Sequence, residues 1–424
     1  MMRTMKWAAA GLALLAAATI LLTSAPAVGA GFQQVAPEEV GLSSERLERL
    51  TAALEAKVRD GTIPGAVALI ARRGKIAYFR TFGQRVKPEG EAMPKDAIFR
   101  IYSMTKPIVS VAAMSLWEEG RFFLDDPLSK TIPEFAGTQV GETERGSLIR
   151  VPARRPITIQ DLLRHTSGMT YGVFGESKIK SIYLERGINR KDQTVAEMTV
   201  KLAGIPLTNQ PGSHWEYARS TDVLGRVLEV LEGKPLGEVL QERVFGPLGM
   251  ADSGFYVPGR NHRRIAEPYD EPGATRKNPV LLDVTEPPRY QSGGGGLVST
   301  AMDYLRFTQM MLNGGELDGV RILSPKTVQL MASNHLGAEI VREGWAYLPG
   351  PGYGFGLGFA VRETPGISSW PGSVGEYYWG GYAGTYFWID PEEELTAVYM
   401  MQDTVDRVPL RKLFKALVYQ AIVD

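Results

Sequence analysis

Apolar residues near the start of the chain recur at the spacing of a helix that is buried on one face. Within Ser43–Arg59 they are Leu47, Leu50, Leu54 and Val58, each three or four positions from the next. Glycine and proline follow soon afterwards and end the pattern. The spacing therefore predicts an N-terminal helix that packs against an apolar surface formed elsewhere in the chain.

Apolar runs with strand-like composition occur close to both ends of the chain. Gly65–Ala71 and Lys75–Phe82 flank the turn residues Arg72–Gly74, and this arrangement predicts a β-hairpin. Thr385–Ile389 and Leu395–Met400 flank a proline and several acidic residues, and they predict a second hairpin near the C-terminus. Each end of the chain is therefore expected to contribute strands.

Segments with helical periodicity lie between these hairpins, and one more closes the chain. They are Ile108–Glu119, Ile159–Leu163, Val195–Leu202, Thr221–Leu231, Ala301–Leu312 and Val405–Val423. The order predicts an α+β fold in which an antiparallel sheet, built from both termini and flanked by helices, carries a mostly helical insertion. We expect residues 31–110 and 290–424 to form the sheet domain and residues 111–289 to form the insertion.

Two long segments, Val257–Tyr290 and Gly344–Gly384, are rich in proline and glycine and lack either periodicity. Long irregular segments in a compact protein are usually functional, so both are expected to form walls of a cleft. Within the second segment, Gly352–Phe359 alternates glycine with aromatic or aliphatic residues. This alternation predicts a strand that is packed on one face.

The N-terminal segment has the pattern of a secretory leader. Arg3 and Lys6 precede the apolar run Trp7–Leu22, and small residues follow as far as Ala30. The run has about sixteen residues, whereas a membrane-spanning helix needs roughly twenty. We therefore expect residues 1–30 to be a signal peptide and the mature protein to be periplasmic or secreted. The alternative is an uncleaved anchor, which would add a membrane contact.

Composition narrows the classes of partner. Lysine plus arginine and aspartate plus glutamate each total 47, so no net field favours nucleic acid or an anionic membrane. The chain has no cysteine, which excludes disulfides, a thiolate nucleophile and a zinc–thiolate site. The four histidines, His165, His214, His262 and His335, lack metal-ligand spacing. We therefore expect a small-molecule partner and no metal, cofactor or nucleic acid.

One short motif can perform nucleophilic chemistry. In Ser103-x-x-Lys106 the two side chains are three positions apart and would share one face of a helix, so the amine could reach the hydroxyl. Serine is a poor nucleophile unless a base takes its proton, and lysine is a base only where its pKa is lowered. The strand-like Phe99–Tyr102 precedes the motif, and Pro107 suits the first turn of a buried helix. The pattern predicts a nucleophile at a strand-to-helix junction.

The bare motif also occurs a second time, because Ser177 is followed by Lys180. That copy lies in a polar run without an apolar face behind it, and we interpret it as a solvated loop. The chain has no Gly-x-Ser-x-Gly elbow, which argues against an α/β-hydrolase with a Ser-His-Asp triad. Ser103 is therefore the nucleophile we expect.

Five motifs occur along the chain in an order typical of one known family. They are Ile101–Pro107, His165–Gly168, Pro211–Tyr217, Ser292–Leu297 and Trp379–Gly381. From about Pro37 to the C-terminus, the chain resembles the β-lactamase-related serine hydrolases. These include class C β-lactamases, D-alanyl-D-alanine carboxypeptidases and family VIII carboxylesterases. The resemblance implies the serine β-lactamase/DD-peptidase type of fold and an acyl-enzyme on Ser103.

The second motif of that family is Tyr-x-Asn or Tyr-x-Ser, and Tyr217 matches its tyrosine. The resemblance implies that this tyrosine acts with Lys106 as general base and later protonates the leaving group. Arg219 stands where the family commonly has Asn, so a cation of open role replaces an amide at an expected substrate contact. Tyr290–Ser292 also fits the short pattern, but it lacks the Pro-Gly-x-x-Trp sequence that precedes Tyr217, which we therefore prefer.

The third motif is Lys-Thr-Gly in β-lactamases and His-Thr-Gly in some peptidases. Trp379, Gly380 and Gly381 stand here instead, as in many family VIII esterases. This replacement removes a cation from the expected substrate site. The resemblance also implies an oxyanion hole formed by the backbone N–H groups of Ser103 and Tyr382.

Two further motifs have structural interpretations. His165–Gly168 is expected to form a turn behind the site. Ser292–Gly296 is expected to form a tight backbone turn rather than a phosphate cradle.

Three hypotheses for function follow. The first is an exported esterase that hydrolyses small neutral esters through Ser103, and we favour it because Trp379 replaces a cation. The second applies the same residues to an amide, either a β-lactam or a D-amino-acid or other small peptide. The third is a catalytically idle ligand-binding module, which the departure at Arg219 would allow.

Overall fold

A computed structural model of the protein describes residues 31–86, 90–270, 277–342 and 347–424. The predicted leader lies outside the described residues, so its cleavage and the export of the protein remain predictions. Among the described residues, no helix is both long enough and apolar enough to cross a bilayer.

Helices are the main regular elements in the middle of the described chain. The α-helices are α1 (Ser44–Arg59), α2 (Thr105–Glu118), α3 (Ile159–Leu163), α4 (Lys178–Glu185), α5 (Val195–Ala203), α6 (Ser220–Glu232), α7 (Leu236–Leu240), α8 (Gly246–Leu248), α9 (Ala301–Leu312), α10 (Pro325–Met331) and α11 (Arg407–Tyr419). Short 3₁₀-helices lie at Pro37–Val40, Tyr102–Met104, Leu128–Lys130, Pro133–Phe135 and Gly259–Arg264, and a π-helix lies at Gln241–Phe245.

The strands lie mainly towards the two ends of the chain. They are β1 (Gly65–Arg72), β2 (Lys75–Val86), β3 (Glu91–Ala92), β4 (Phe99–Arg100), β5 (Gln139–Glu144), β6 (Ser147–Pro152), β7 (Val298–Ser299), β8 (Glu316–Leu317), β9 (Val320–Arg321), β10 (Tyr353–Phe355), β11 (Ala360–Arg362), β12 (Tyr377–Gly380), β13 (Tyr386–Asp390) and β14 (Leu395–Met401).

The main sheet of the described chain has eight strands in the order β10-β11-β12-β13-β14-β1-β2-β3. Its neighbouring strands are antiparallel. The first strand of the chain pairs with the last, from Ala66 opposite Met401 to Arg72 opposite Leu395. The predicted α+β fold, with an antiparallel sheet built from both termini, is therefore confirmed.

Helices cover both faces of this sheet. Strand β1 is buried along its whole length, and its side chains point alternately to the two faces. Ala68 and Ile70 belong to an apolar cluster with Leu50 and Leu54 of α1 and Phe414 of α11. The odd-numbered residues of β1 belong to a larger cluster with α2 and α9. Burial on both faces explains why β1 is a continuous apolar run rather than an alternating one.

A buried ion pair fixes α11 against the sheet. Nζ of Lys415 lies 2.6 Å from Oε1 of Glu376, and neither side chain is exposed. The hydroxyl oxygen of Tyr419 lies 2.9 Å from Oε2 of Glu376 and 2.5 Å from Oδ2 of Asp390, so its one hydrogen is donated to one of these two carboxylates. Removing one partner of such a pair leaves a buried charge and costs about 3–5 kcal/mol. The network therefore holds α11 in one position beside β12 and β13.

The segment around the predicted nucleophile differs from the prediction by a few residues. Helix α2 begins at Thr105 rather than at Ile108, so Lys106 lies in its first turn. Ser103 lies just before the helix, in the 3₁₀ turn Tyr102–Met104 that follows β4. The nucleophile segment is therefore a strand-to-helix junction, as its pattern predicts.

The interpretation of Ser177 as part of a solvated loop is wrong. Ser177 is the N-cap of α4, and its hydroxyl accepts the backbone N–H of Lys180 at 3.2 Å. Ile179 and Tyr183 are buried and give this helix an apolar face. Two buried residues in so short a helix are a weak periodic signal, which is why the polar run concealed it.

The second irregular segment contains more strand than its composition indicates. Of the single strand predicted at Gly352–Phe359, only Tyr353–Phe355 is a strand, β10; the chain turns from Gly356 to Phe359 and pairs back as β11, which begins at Ala360. A Cβ atom at Gly356 would lie 2.1 Å from the carbonyl oxygen of Met331, so the close approach requires glycine there. The closing helix is also shorter than the predicted Val405–Val423. The proposed division into a sheet domain and a helical insertion remains a prediction.

Candidate active site

Ser103 follows a residue in a strained backbone conformation. Tyr102 has a φ of 42°, in the left-handed region that tyrosine rarely adopts. Its hydroxyl accepts the backbone N–H of Leu282 at 3.1 Å, and its ring lies edge-to-face with that of Tyr382 at 5.6 Å. These contacts on both sides of the ring hold the turn and fix the position of Ser103.

Lys106 is buried directly beside Ser103. Its Nζ lies 3.3 Å from Oγ of Ser103, 2.9 Å from the hydroxyl oxygen of Tyr171 and 2.5 Å from the carbonyl oxygen of Gly294. A neutral amine has two hydrogens and one lone pair. If the hydrogens are donated to Gly294 and Tyr171, the lone pair remains for the hydroxyl hydrogen of Ser103. The geometry therefore suits a base.

The protonation equilibrium of Lys106 also suits a base. The pKa of Lys106 is lowered to about 7, mainly by burial; the charge of Asp222 opposes this shift and the charge of Arg219 adds to it. A base is most effective when its pKa lies near the working pH, because it is then partly unprotonated. Lys106 can therefore accept a proton near neutrality.

Tyr217 lies against the same pair. Nζ of Lys106 is 4.4 Å from the centroid of its ring, and its hydroxyl forms a hydrogen bond with Ser103. Nε1–H of Trp379 donates to the same oxygen at 3.2 Å. Burial raises the pKa of Tyr217 above its usual value, and the hydrogen bonds with Ser103 and Trp379 oppose that rise. Trp379 thus supports negative charge on the Tyr217 oxygen.

His165 packs behind Tyr217. The two ring centroids are 4.9 Å apart, and the imidazole also contacts Trp215 and Phe355 edge-on. Burial holds the pKa of His165 well below its usual value, and the charge of Lys106 acts in the same direction. A neutral, enclosed imidazole matches the structural role predicted for the His165–Gly168 turn.

Tyr171 is a site residue that the sequence analysis missed. Besides its contact with Lys106, its ring lies 5.2 Å from that of Tyr217 and 4.8 Å from the guanidinium carbon of Arg219. No motif marks this residue, although it closely follows the His165–Gly168 turn. Only the packing of that turn against α6 reveals it.

Arg219 reaches the site but is already paired. Its Nη1 lies 3.3 Å from Oδ2 of Asp222, and its Nη2 donates to Oδ1 of Asn189 at 2.5 Å. Asp222 also accepts the hydroxyl of Ser292 at 2.5 Å and the backbone N–H of Gly294 at 3.2 Å. Burial opposes ionisation of Asp222, but the charge of Arg219 and the Ser292 hydroxyl keep its pKa lowered. Asp222 is a second residue without a sequence signal.

Asp222 explains the glycine run at Ser292–Gly296. The carbonyl of the first residue accepts the N–H groups of the last two at 3.2 and 2.9 Å, so the segment is a tight turn. A Cβ atom at Gly294 would lie 2.6 Å from Asp222 and 3.0 Å from the Tyr171 hydroxyl. Glycine therefore lets the turn pass close to Asp222 and present a carbonyl to Lys106.

The third motif lies where β12 approaches the nucleophile segment. Trp379 is buried in β12, and Gly381 follows that strand. A Cβ atom at Gly381 would lie 2.5 Å from the carbonyl oxygen of Ile101 and 2.1 Å from Oγ1 of Thr385. The close approach requires glycine and brings the next residue, Tyr382, near Ser103.

Two cavities meet at Ser103. The narrower has a volume of about 240 Å³, and its lining includes Leu348, Trp379, Gly380, Gly381, Arg407 and Arg411. The wider has a volume of about 560 Å³, and its lining includes Tyr171, Lys191, Arg219, Val280, Leu281 and Leu282. Ser103, Phe174, Tyr217 and Tyr382 line both cavities. The two irregular segments therefore supply cleft walls, as predicted.

The N–H groups of Ser103 and Tyr382 have the setting of oxyanion donors. The turn and loop hydrogen bonds of the described residues include none that either N–H donates. Because both residues line both cavities, a bound carbonyl oxygen could accept from them.

Tyr290 lies elsewhere in the cluster. Nζ of Lys191 is 4.6 Å from its ring, and the charges of Asp222 and Arg219 act on its hydroxyl. It belongs to the lining of neither cavity at Ser103. Of the two candidate tyrosines, Tyr217 is the one that the fold brings to Ser103.

The side chains around Ser103 are a lysine and several tyrosines, which are groups that move protons. Within the described ranges, no cluster of three or more His, Cys, Asp or Glu side chains could hold a metal ion.

Comparisons with known proteins identify the family. Residues 50–420 match the family model described as Beta-lactamase. Protein Rv1367c of Mycobacterium tuberculosis is 39% identical over 365 residues, which cover 83% of this chain and 90% of that protein. Esterase EstB of Burkholderia gladioli is 33% identical over 358 residues, which cover 78% of this chain and 84% of that protein.

A solved structure agrees with these relatives. EstCE1, described as a hydrolase with promiscuous acyltransferase activity, superimposes with a TM-score of 0.74 at 28% identity. The match covers 90% of this chain and 99% of that one. The chain therefore belongs to the β-lactamase family and is a serine hydrolase with the fold of that family.

Proposed function

We propose that the protein is an esterase that hydrolyses small neutral esters through an acyl-enzyme on Ser103. The observation that carries the proposal is the position of Lys106, whose buried amine lies 3.3 Å from Oγ of Ser103. Burial lowers the pKa of this amine to about 7 and so makes it a base at neutral pH. An activated serine between two cavities is the arrangement that acyl transfer requires.

The proposed reaction has two halves. Lys106, with Tyr217, takes the proton of Ser103 while Oγ attacks the ester carbonyl and forms a tetrahedral intermediate. The C–O bond to the alcohol then breaks, and Tyr217 returns the proton to the leaving alkoxide. In the second half the same pair takes a proton from a water molecule, whose oxygen attacks the acyl carbon; the C–O bond to Oγ then breaks, the pair returns the proton to Oγ, and the acid leaves.

The N–H groups of Ser103 and Tyr382 would stabilise the oxyanion of both intermediates. Each such donor contributes about 3–4 kcal/mol in enzymes where one has been removed. Trp379 has a separate part in the proposal, because its N–H stabilises the oxygen of Tyr217 when that oxygen gives up its proton.

The proposed preference for neutral esters depends on which cations near Ser103 could bind the carboxylate of a charged substrate. Trp379 occupies the position of the lysine of β-lactamases and of the histidine of some peptidases in the family, and it presents an apolar indole. Arg219 is engaged by Asp222 and is not free to bind a carboxylate. A carboxylate that enters a partly dry cleft without a partner loses hydration at a cost of a few kcal/mol, whereas a neutral ester gains from apolar contact.

The substrate preference is measured with p-nitrophenyl butyrate and nitrocefin. We expect wild type to favour the ester in kcat/KM by at least about a hundredfold, which corresponds to about 2.7 kcal/mol. Arg219→Ala and Arg407→Ala are the informative variants, because each removes a guanidinium that lines one of the two cavities at Ser103. Arg219→Ala also leaves Asp222 unpaired, so its Tm must be measured. If wild type prefers nitrocefin and either variant reverses the preference, the proposed esterase is wrong and a β-lactamase replaces it.

Tyr217→Phe tests the general base. Its kcat should fall by about a hundredfold or more while KM changes little, because the hydroxyl transfers protons and contributes little to ground-state binding. Tyr290→Phe is the matched control, since Tyr290 fits the same short motif but does not reach Ser103. If the control loses kcat and Tyr217→Phe does not, the tyrosine is misassigned.

A second candidate function is acyl transfer to an alcohol. The observation that favours it is the wider cavity, which Val280 and Leu282 line with apolar side chains and which Trp379 does not line. An alcohol bound there would compete with water for the acyl-enzyme. The ratio of new ester to acid should rise in the presence of a hydrophobic alcohol. A ratio no higher than that of the uncatalysed mixture would exclude acyl transfer.

A further inference from the structure

Arg411 of α11 is buried behind the loop that carries the Tyr382 N–H. Its Nη2 donates to the carbonyl oxygen of Gly381 and, at 2.9 Å, to that of Thr385. The N–H of Gly381 donates to the same Thr385 carbonyl at 2.8 Å. One guanidinium nitrogen therefore joins the two ends of the turn between β12 and β13.

The peptide geometry of this turn links Arg411 to Tyr382. The carbonyl of Gly381 and the N–H of Tyr382 belong to one peptide unit, which is planar and trans, so they point in opposite directions. A donor that fixes the carbonyl also fixes the direction of the N–H. Arg411 thus controls the aim of an N–H group through the backbone, in addition to lining the narrower cavity.

The backbone is shaped to admit the guanidinium. A Cβ atom at Gly380 would lie 2.7 Å from Cζ of Arg411, so the motif needs glycine where the guanidinium packs on it. The ion pair between Lys415 and Glu376, one turn further along α11, holds the helix that delivers Arg411. The loop, the helix and the arginine therefore form one rigid unit.

The charge of Arg411 lacks a usual partner. Among the ion pairs of the described residues none includes Arg411, and its Nε has no acceptor. Burial, with a smaller contribution from the charge of nearby Arg407, lowers the pKa of Arg411 to about 10. Its guanidinium is held by carbonyl dipoles and by the Tyr386 ring, whose centroid lies 5.6 Å from Cζ. A buried cation without a carboxylate partner is costly for stability, whereas it is favourable beside a site where negative charge develops.

We propose that Arg411 is the positioning residue of the oxyanion hole, and that it holds the Gly381–Tyr382 peptide with its N–H directed at the developing oxyanion. The inference rests on the proposed function, because it assumes that the Tyr382 N–H stabilises that oxyanion. A purely structural clamp would instead affect folding and leave transition-state binding unchanged in the folded enzyme.

The test compares Arg411→Ala with wild type on p-nitrophenyl butyrate and on phenylboronic acid, which forms a tetrahedral adduct with an active serine. We expect kcat to fall about a hundredfold and KM to stay within about twofold, as for loss of one oxyanion donor. The boronate Ki should rise by a similar factor. Arg411→Lys, which can still donate to one carbonyl, should recover part of both losses, and it is the variant to measure if Arg411→Ala does not fold.

Arg362→Ala is the matched control. Arg362 is also buried, and its Nε has no hydrogen-bond acceptor, although it lies 3.8 Å from Oε1 of Glu376. Its guanidinium donates to the backbone carbonyls of Gly372 and Trp370, and it lines neither cavity at Ser103. The Arg362→Ala substitution should lower Tm and leave kcat and the boronate Ki of the folded protein unchanged. The proposal is overturned if folded Arg411 variants keep the wild-type kcat and boronate Ki, or if Arg362→Ala shows the same losses. If wild type itself does not bind the boronate at Ser103, the proposed function fails and the inference with it.

Discussion

Replacement of Ser103 by alanine is expected to lower kcat for p-nitrophenyl butyrate by at least about 10,000-fold. Oγ of Ser103 is the nucleophile of the proposed acyl-enzyme, so its loss removes the covalent route. The substitution removes one partly exposed oxygen from a turn, so Tm should change little. Initial rates of purified wild type and variant, corrected for spontaneous hydrolysis, provide the measurement.

Ser177→Ala is the control for this prediction because it alters the same short motif. The Ser177 hydroxyl caps α4, so its loss should cost about 1 kcal/mol of stability and leave kcat nearly intact. A comparable loss of kcat in the two variants would show that Ser103 is not the nucleophile.

Lys106→Arg is expected to lower kcat by about a thousandfold even though the side chain keeps a positive charge. A guanidinium stays protonated near neutral pH and cannot accept the Ser103 proton. Lys180→Arg is the matched control, because it alters the lysine of the second motif copy on α4. If Lys106→Arg kept even a tenth of the wild-type kcat, Lys106 would not be the proton acceptor.

The same assignment fixes the sign of the pH dependence. Because burial lowers the pKa of Lys106 to about 7, the unprotonated, active amine predominates above that pH. The wild-type kcat/KM should therefore fall as the pH decreases through about 7. A rate that is constant from pH 5 to 9 would contradict the assignment of Lys106 as base.

Much of the fold could be predicted because its signals are local. The N-terminal hairpin, α1 and the C-terminal hairpin each show their own periodicity, and strands at both ends already indicate a shared sheet. Helix α4 escaped because its apolar face consists of Ile179 and Tyr183 within a polar run. A pattern of two residues does not stand out from a loop.

The candidate site likewise contains residues that the sequence predicts and residues that only the structure reveals. Ser103 and Lys106 are close in sequence and share a helical turn, so their proximity follows from the chain alone. Tyr171 and Asp222 come from other parts of the chain, and only long-range packing brings them to Lys106 and Gly294. Tyrosine and aspartate are common residues, so neither carries a signal without that packing.

Arg219 and Trp379 show a different limit of prediction from sequence. The sequence indicates that an amide and a cation are missing from their usual positions, but it does not indicate what replaces their interactions. The structure pairs Arg219 with Asp222 and directs the Trp379 N–H at Tyr217. Both replacements thus serve the residues around Ser103 and leave the cleft without the family's usual carboxylate-binding lysine.

The central claim is that Ser103 becomes covalently acylated, and labelling with a fluorophosphonate followed by intact-protein mass spectrometry tests it most directly. Wild type should gain one adduct, which peptide mapping places on Ser103, and Ser103→Ala should gain none under the same conditions. An adduct on a different residue, or equal labelling of Ser103→Ala, would contradict the account.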